Sequence, residues 1–251
     1  MNKKGLVIHL VLLGLLVGIG SFILLSGTLD VETDIKGKWQ LDFLTKNYQE
    51  AEKQLLKNEI LIKQAGVEVA WQLVENGGYA PGTESSCGKA EEAQVWFKEG
   101  KWCFKGIATL VPEMVSEKLT TSIPGNTYSD ITFSGPFLTG KGGKGVISRE
   151  KATYIFDTSF TVYLGYSFDE YQRLQEEGLR LLASCVGKEE LKQCLDMAKL
   201  DYWKYGSCEQ EEFSDSSIVP FCIASPQLAY LPTSEGQKLV TYAIALDFSS
   251  S

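Results

Sequence analysis

An uninterrupted apolar run near the N-terminus constrains this chain more than any other feature. Leu6 to Leu25 contains 20 residues and no Asp, Glu, Lys or Arg. As a helix it is ~30 Å long, which is the hydrocarbon thickness of a bilayer. A cleaved signal peptide has a shorter apolar region with small residues at −3 and −1, whereas cleavage after Gly27 would place Leu25 at −3. The run therefore predicts an uncleaved transmembrane anchor over residues 6–27.

The charges on either side of the run predict its orientation. Lys3 and Lys4 precede it, and three acidic residues follow it between positions 30 and 34. Because positive charge stays on the cytoplasmic side, residues 1–5 are expected inside, and residues 28–251 outside as a single domain. The predicted localisation is the cell membrane, as a single-pass protein with the lipid bilayer as its first partner.

A pair of small residues in the predicted anchor bears on self-association. Gly14 and Gly18 have the spacing Gly-x-x-x-Gly, which lets two helices approach closely in lipid. Glycine is common in membrane helices in general. The pattern therefore leaves both alternatives open, a helix dimer through these residues or no dimer.

All six cysteines lie beyond the anchor, in the predicted outer part. An even number of cysteines in an oxidising compartment is typical of disulfides. A zinc site is disfavoured because there is no Cys-x-x-Cys pair and the single histidine, His9, lies in the anchor. Pairing between nearest neighbours in the sequence is the simplest arrangement. It gives Cys87–Cys103, Cys185–Cys194 and Cys208–Cys222.

The single histidine also excludes several kinds of chemistry. A Ser-His-Asp triad and a two-histidine metal site both need histidine in the outer part. The formal net charge is −8 and no cluster of Lys and Arg is present, so nucleic acid is not an expected partner. We expect no enzymatic activity and no cofactor. An extracellular hydrolase that uses paired carboxylates or a Ser-Lys dyad is the alternative, and the sequence names no residue for it.

The outer part begins with a long helical pattern. Apolar residues recur at heptad spacing between residues 41 and 76, which indicates a helix with one buried stripe. Asn76-Gly77-Gly78 provides its end. A coiled coil and packing on a sheet of the same chain both fit this stripe, and the second is the commoner outcome.

Alternating side chains predict strands further along the chain. Apolar residues occupy the even positions over 154–166 and 240–248, which is typical of half-buried antiparallel strands. Residues 95–104 are expected to form a hairpin about Glu99-Gly100. Residues 131–137 form a shorter third candidate, in which Pro136 suggests an edge or a bulge.

Two helices are expected between the long strands. Ser167 and Glu170 have the spacing of a capping box, in which each side chain satisfies the backbone of the other. A helix from there to Gly187 would be stapled to the next helix by Cys185 and Cys194. The predicted fold class is therefore α+β: an N-terminal transmembrane helix, a long amphipathic helix on an antiparallel sheet, and a disulfide-stapled helical hairpin.

Two further features of the sequence resemble binding sites. Gly135 to Gly142 approaches the phosphate-binding pattern Gly-x4-Gly-Lys-Ser/Thr, but Gly142 replaces the Ser/Thr and no helix follows. A flexible exposed turn over residues 140–145 is the preferred interpretation. Trp96 and Trp102 flank one predicted turn and are the best candidates for a binding surface, with core packing as the alternative.

The N-terminal region resembles that of archaeal single-pass surface proteins with a type IV pilin-like plan. The resemblance covers about residues 3–25: Lys3-Lys4-Gly5 corresponds to a short basic leader ending in glycine, followed by an apolar helix. The family usually has an acid at the fifth mature position, where this chain has Leu10. The resemblance implies cleavage between Gly5 and Leu6 by a prepilin peptidase, and self-association through the apolar helix or the stalk that follows it.

These observations favour a membrane-anchored extracytoplasmic protein of the cell envelope with a structural or binding role. A type IV pilin-like filament subunit is the first alternative, and the extracellular hydrolase is the second. The sequence does not identify a protein partner.

Overall fold

The computed structural model describes residues 13–21, 38–104, 106–125, 127–149, 152–210, 212–213, 216–226, 230–233 and 236–249. The chain divides into two compact units, Met1–Glu50 and Ala51–Ser251. This boundary falls inside a long helix, whereas the predicted outer domain began at residue 28. The second unit contains helices and sheets and three disulfides, so the α+β class is confirmed.

Three of the described helices correspond to predicted ones. The long helix expected over 41–76 is present, and so are both helices of the stapled pair. The helices are α1 (residues 13–21), α2 (Lys38–Glu75), α3 (Ile107–Ser122), α4 (Asp169–Cys185) and α5 (Leu191–Ala198). The strands are β1 (Lys89–Ala90), β2 (Ala93–Lys98), β3 (Lys101–Trp102), β4 (Tyr128–Ser134), β5 (Phe137–Gly142), β6 (Lys144–Arg149), β7 (Ala152–Asp157), β8 (Phe160–Tyr163), β9 (Trp203–Tyr205), β10 (Ile218–Ala224), β11 (Tyr230–Thr233), β12 (Gly236–Leu239) and β13 (Thr241–Asp247).

The main sheet is mixed rather than purely antiparallel. Its order is β1-β2-β13-β10-β9, and β3 also pairs with β2 around the predicted turn at Glu99-Gly100. β13 runs parallel to β2, while β10 pairs antiparallel with β13 and β9. A parallel pair requires a long crossover, and the chain between β2 and β13 supplies it. The expectation that 240–248 forms a half-buried antiparallel strand is therefore wrong in part, because β13 is a central strand with Ala245 and Asp247 buried as well.

Strand β10 was not predicted, and it contains Pro220. Proline donates no hydrogen bond, so it argues against a central strand. The carbonyl of Pro220 accepts a bond from the Gly206 N–H at 3.0 Å, just after β9 ends at Tyr205. In an antiparallel strand the N and C=O of one residue point to the same side. The proline nitrogen therefore faces the end of β9 and not β13, so the pairing of β10 with β13 keeps its ladder bonds.

A second, smaller sheet has the order β4-β5-β8, and the hairpin β6-β7 follows β5. The predicted strand over 154–166 appears as β7 and β8. Its even positions face inward as expected, with Phe156, Val162 and Leu164 buried. Pro136 lies in the turn between β4 and β5, where Ser134 pairs with Phe137, rather than at an edge or a bulge.

The glycine-rich segment 140–145 is not the exposed turn that was predicted. It belongs to β5 and β6 except for Gly143, which lies exposed between them, and side chains of the partner strands β8 and β7 cover Gly140 and Gly145. A Cβ at Gly140 would lie 2.5 Å from ring carbons of Phe160, and one at Gly145 would collide with the ring of Phe156. Aromatic rings placed over strand glycines in this way compensate for the missing side chains. The segment is also not a phosphate-binding loop.

The part of α2 in the second unit packs into the core. Ile62, Ala65 and Val69 of the predicted stripe are buried. At Gly66 a Cβ would lie 2.7 Å from a methyl group of Leu164 and 3.2 Å from one of Leu138, so the helix approaches the smaller sheet closely here. In the first unit the stripe is different, because Leu41, Leu44 and Tyr48 are more than half exposed.

Candidate functional site

An open groove of about 530 Å³ lies where the C-terminal end of α2 meets one end of the main sheet. Its walls come from the turn between β1 and β2, the segment after β9, and strands β10, β12 and β13. Its volume lies in the range of ligand-binding pockets in proteins. The residues that line it are Trp71, Val74, Glu75, Glu91, Glu92, Ala93, Ser207, Cys208, Glu209, Pro220, Lys238, Leu239, Thr241 and Ala243.

The floor of the groove is apolar. Val74 and Pro220 are buried, and Leu239 and Ala243 are half-buried. Trp71 is half-buried and also lines the groove. The register of β10 on β13 pairs Cys222 with Ala243, so the disulfide from Cys222 to Cys208 ties one wall to the floor.

The rim of the groove is acidic. Glu75, Glu91, Glu92 and Glu209 are all exposed and come from three separate parts of the chain. Lys238 adds one positive charge, so the lining carries a net negative charge. A concave surface lined by one sign of charge raises the local concentration of the opposite charge.

Two of these glutamates occupy a strained turn. Ala90 pairs with Ala93, so Glu91 and Glu92 form the two-residue connection between β1 and β2. Glu91 has φ of +56°, in the left-handed region that favours glycine. The two short strands hold this conformation and thereby fix two adjacent carboxylates at the mouth of the groove.

The acidic rim is not arranged as a metal centre. Among the residues that the structure describes, no three His, Cys, Asp or Glu side chains converge on one point as metal ligands. Two of the four carboxylates are neighbours on one turn, and the other two come from α2 and from the segment after β9. This arrangement suits an extended or branched organic cation better than a single ion.

A second group of acidic residues lies in the core, on the buried face of α4. Glu170 is 1% exposed, and three donors saturate its carboxylate. Ser225 donates to Oε1 at 2.7 Å and Arg173 to the same oxygen at 2.9 Å. Tyr242 donates to Oε2 at 2.6 Å, and Tyr166 lies 2.7 Å from the Tyr242 hydroxyl. Because Tyr242 uses its proton on the carboxylate, Tyr166 donates to Tyr242.

These tyrosines hold their protons strongly. Burial is the main cause that raises the pKa of Tyr166, Tyr171 and Tyr242 above the usual 10.0. The negative charge of Glu170 raises the pKa of all three further. The phenols therefore keep their protons over the whole physiological range, and Tyr166 and Tyr242 use theirs as donors in this network.

Glu177 repeats this arrangement two turns along the same helix. It is 6% exposed, and its two oxygens accept bonds from Tyr202 at 2.5 Å and from the Trp203 indole at 3.1 Å. Burial, followed by the hydrogen bond to Glu177, raises the pKa of Tyr202. Both carboxylates lie on the buried face of α4, and apart from Arg173 their partners lie in or directly beside strands β9, β10 and β13. We interpret them as structural.

The predicted capping box is therefore wrong. The hydroxyl of Ser167 accepts a bond from the Asp169 N–H at 3.3 Å, but Glu170 is turned into the core instead of back to Ser167. The sequence contains one signal for the buried pair. Glu170 and Glu177 are spaced by two helical turns on the same face as Leu174 and Leu181, where an acidic residue is out of place.

The predicted binding surface on two tryptophans is corrected for Trp96. This side chain is fully buried, its indole N–H donates to the Gly77 carbonyl at 2.7 Å, and its ring stacks on Phe104 with centroids 4.3 Å apart. Trp102 is half-buried and packs edge-on against Phe97 at 5.4 Å. Trp96 therefore presents no ring at the surface. Trp71 is the tryptophan that lines the groove, and residue spacing alone did not single it out.

The predicted disulfides are confirmed with their pairing. The three bonds are Cys87–Cys103, Cys185–Cys194 and Cys208–Cys222, and no cysteine is free. The second joins α4 to α5, as expected for the stapled helical pair. The third borders the groove.

The predicted N-terminal sites lie mostly outside the described residues. This applies to Gly5 and Leu6 of the leader and to the greater part of the predicted anchor. Gly14 and Gly18 lie on α1, exposed and with no atom within 4 Å of a Cβ built on either of them. Within the described ranges, no helix combines the length and the apolar character needed to cross a membrane.

Comparison with known proteins does not assign a family. No family model matches the chain, and neither a curated protein nor a solved structure matches it.

Proposed function

We propose that this chain is a membrane-anchored extracytoplasmic protein of the cell envelope with a binding role, and not an enzyme. The observation that carries the proposal is the set of three disulfides that uses every cysteine. Cytosolic thiols are kept reduced, whereas disulfides persist in oxidising compartments. The apolar run from Leu6 to Leu25 and the preceding lysines supply the anchor and its orientation.

The groove supports a binding role over a purely structural one. It combines an apolar floor with charged groups from several elements, which is the usual composition of a binding pocket. The acidic side chains of the core do not provide a competing catalytic site. The oxygens of Glu170 and Glu177 are already occupied by donors of the same chain.

The compartment is tested by thiol labelling in intact cells. A membrane-impermeant maleimide should label the chain only after treatment with an impermeant reductant, because the cysteines are then exposed outside. Labelling that requires cell lysis would place the domain in the cytoplasm.

Alkaline carbonate extraction of the membranes tests the anchor separately, since an anchored chain stays in the pellet.

A pilin-like filament subunit is the second candidate function. In addition to the leader-like N-terminus, Leu41 and Leu44 on the first part of α2 are 68% and 52% exposed. Apolar residues on an exposed helical stalk favour packing against other copies. This candidate predicts filaments on the cell surface and a mature N-terminus at Leu6. An intact Met1 in native membranes would overturn it.

A further inference from the structure

We propose that the groove between α2 and the main sheet binds an arginine-bearing peptide segment of a partner protein. The proposal rests on the binding role above and names the class of its ligand. The apolar floor and the four glutamates at the rim carry it together. The floor defines where the ligand lies, and the charges define what the ligand is.

The charge of the rim excludes most other occupants. An anionic segment would be repelled by the four carboxylates. A purely apolar segment would partly desolvate these carboxylates without supplying a positive charge to pair with them. A lone metal ion is disfavoured because these carboxylates do not converge on one point. A cation that reaches several carboxylates at once satisfies the arrangement.

The half-buried Trp71 selects the kind of cation. A guanidinium group is planar, stacks on aromatic faces and pairs with carboxylates through two parallel hydrogen bonds. An ammonium group is a point charge and is more strongly hydrated, so it loses more hydration free energy when it contacts the same surface. Glu75 lies one helical turn after Trp71 on α2, so the ring and one carboxylate face the same side of the helix. Arginine is therefore preferred over lysine.

The test is calorimetric titration of the full chain, oxidised and in mild detergent, with the peptide acetyl-Gly-Arg-Gly-Arg-Gly-amide. The matched peptide contains citrulline, which has the shape of arginine without its charge. We expect the arginine peptide to bind at least tenfold more tightly than the citrulline peptide and severalfold more tightly than a lysine peptide. Binding should weaken when the salt concentration rises from 50 to 300 mM.

Charge variants locate the site. Glu91→Gln/Glu92→Gln should weaken the arginine peptide about fivefold or more, since each exposed ion pair contributes a factor of roughly two to five. Glu189→Gln/Glu190→Gln removes the same charge from another exposed pair of the chain and should leave the affinity unchanged. Trp71→Leu should weaken binding, and Trp71→Phe should retain part of it. Thermal unfolding of each variant shows that it is folded.

Several outcomes would overturn the proposal. These are equal affinity for the citrulline peptide, equal loss in both charge variants, and absence of binding by the folded parent chain. A lysine peptide that binds as tightly as the arginine peptide would overturn the role of Trp71. Because the assay uses the purified chain, its failure is distinct from failure of the cellular labelling experiment, which tests the compartment alone.

Discussion

The buried glutamates of α4 and the exposed glutamates of the groove show opposite uses of one side chain. Glu170 and Glu177 lie in the core, and each carboxylate is matched by donors of the same chain, of which only Arg173 lies on α4 itself. Glu91 and Glu92 stand side by side on an exposed turn, where adjacent like charges repel each other. Burial makes an unpaired charge expensive, so the first pair is committed to stability. The second pair is exposed and has no such desolvation cost, so we assign it to recognition of the proposed ligand.

The largest expected effect comes from removing a buried carboxylate. Glu170→Ala leaves the Arg173 charge and the hydroxyls of Ser225 and Tyr242 without their acceptor. Breaking such a network typically costs about 3–5 kcal/mol. The urea midpoint of unfolding, followed by circular dichroism, measures this loss. Glu176→Ala, at an exposed position of the same helix, is the control and should change stability by less than ~0.5 kcal/mol. Equal midpoints for the two variants would show that Glu170 is not structural.

Alkaline pH should destabilise the same network. The folded pKa values of Tyr166, Tyr171 and Tyr242 lie above the unfolded value of 10.0, so the native state keeps protons that the unfolded state loses. Stability is then complete below pH 10 and decreases above it, by up to about 1.4 kcal/mol per pH unit for each tyrosine. For the three tyrosines together we expect a loss of about 3 kcal/mol between pH 10 and pH 11, measured by urea unfolding at each pH. Tyr242→Phe should make the decrease of the free energy of unfolding with pH less steep. A free energy of unfolding that stays constant up to pH 11 would contradict the raised pKa values of these tyrosines.

Glu177→Gln should have a smaller effect, because it keeps the size of the side chain and one acceptor. The amide nitrogen then faces either the Tyr202 hydroxyl or the Trp203 indole, and one donor loses its partner. The expected cost is about 1–3 kcal/mol. A double-mutant cycle with Tyr202→Phe should give a coupling energy of about 1 kcal/mol or more. Additive losses would mean that the two side chains do not interact.

Local patterns in the sequence were sufficient for much of this fold. Heptad spacing predicted α2, alternation predicted β7 and β8, and nearest-neighbour pairing predicted the disulfides. In each case the interacting residues are close in the sequence or repeat with a regular period. The hairpin at Glu99-Gly100 belongs to the same class, since both turn residues have positive φ as a tight hairpin turn requires.

The features that the sequence did not predict depend on distant partners. Glu170 matches a capping box locally, and its structural role appears only when Ser225 and Tyr242, 55 and 72 residues away, are brought beneath α4. The glycine-rich sequence predicted a turn, whereas Gly140 and Gly145 lie in strands and are covered by the rings of Phe160 and Phe156. The groove itself combines parts of the chain that are far apart, so no local motif indicates it.

The smallest expected effect on stability is at the groove, and it is the other half of the comparison. Glu91→Gln/Glu92→Gln should leave the free energy of unfolding within about 0.5 kcal/mol of the parent, because both side chains are exposed and surface charges contribute little. Relief of the repulsion between adjacent carboxylates would make any change slightly stabilising. The same urea titration measures it beside Glu170→Ala. A loss as large as that of Glu177→Gln would show that the acidic turn holds the fold together. If the free energy of unfolding is unchanged while the arginine peptide binds more weakly, the exposed glutamates serve recognition, whereas the buried glutamates of α4 serve stability.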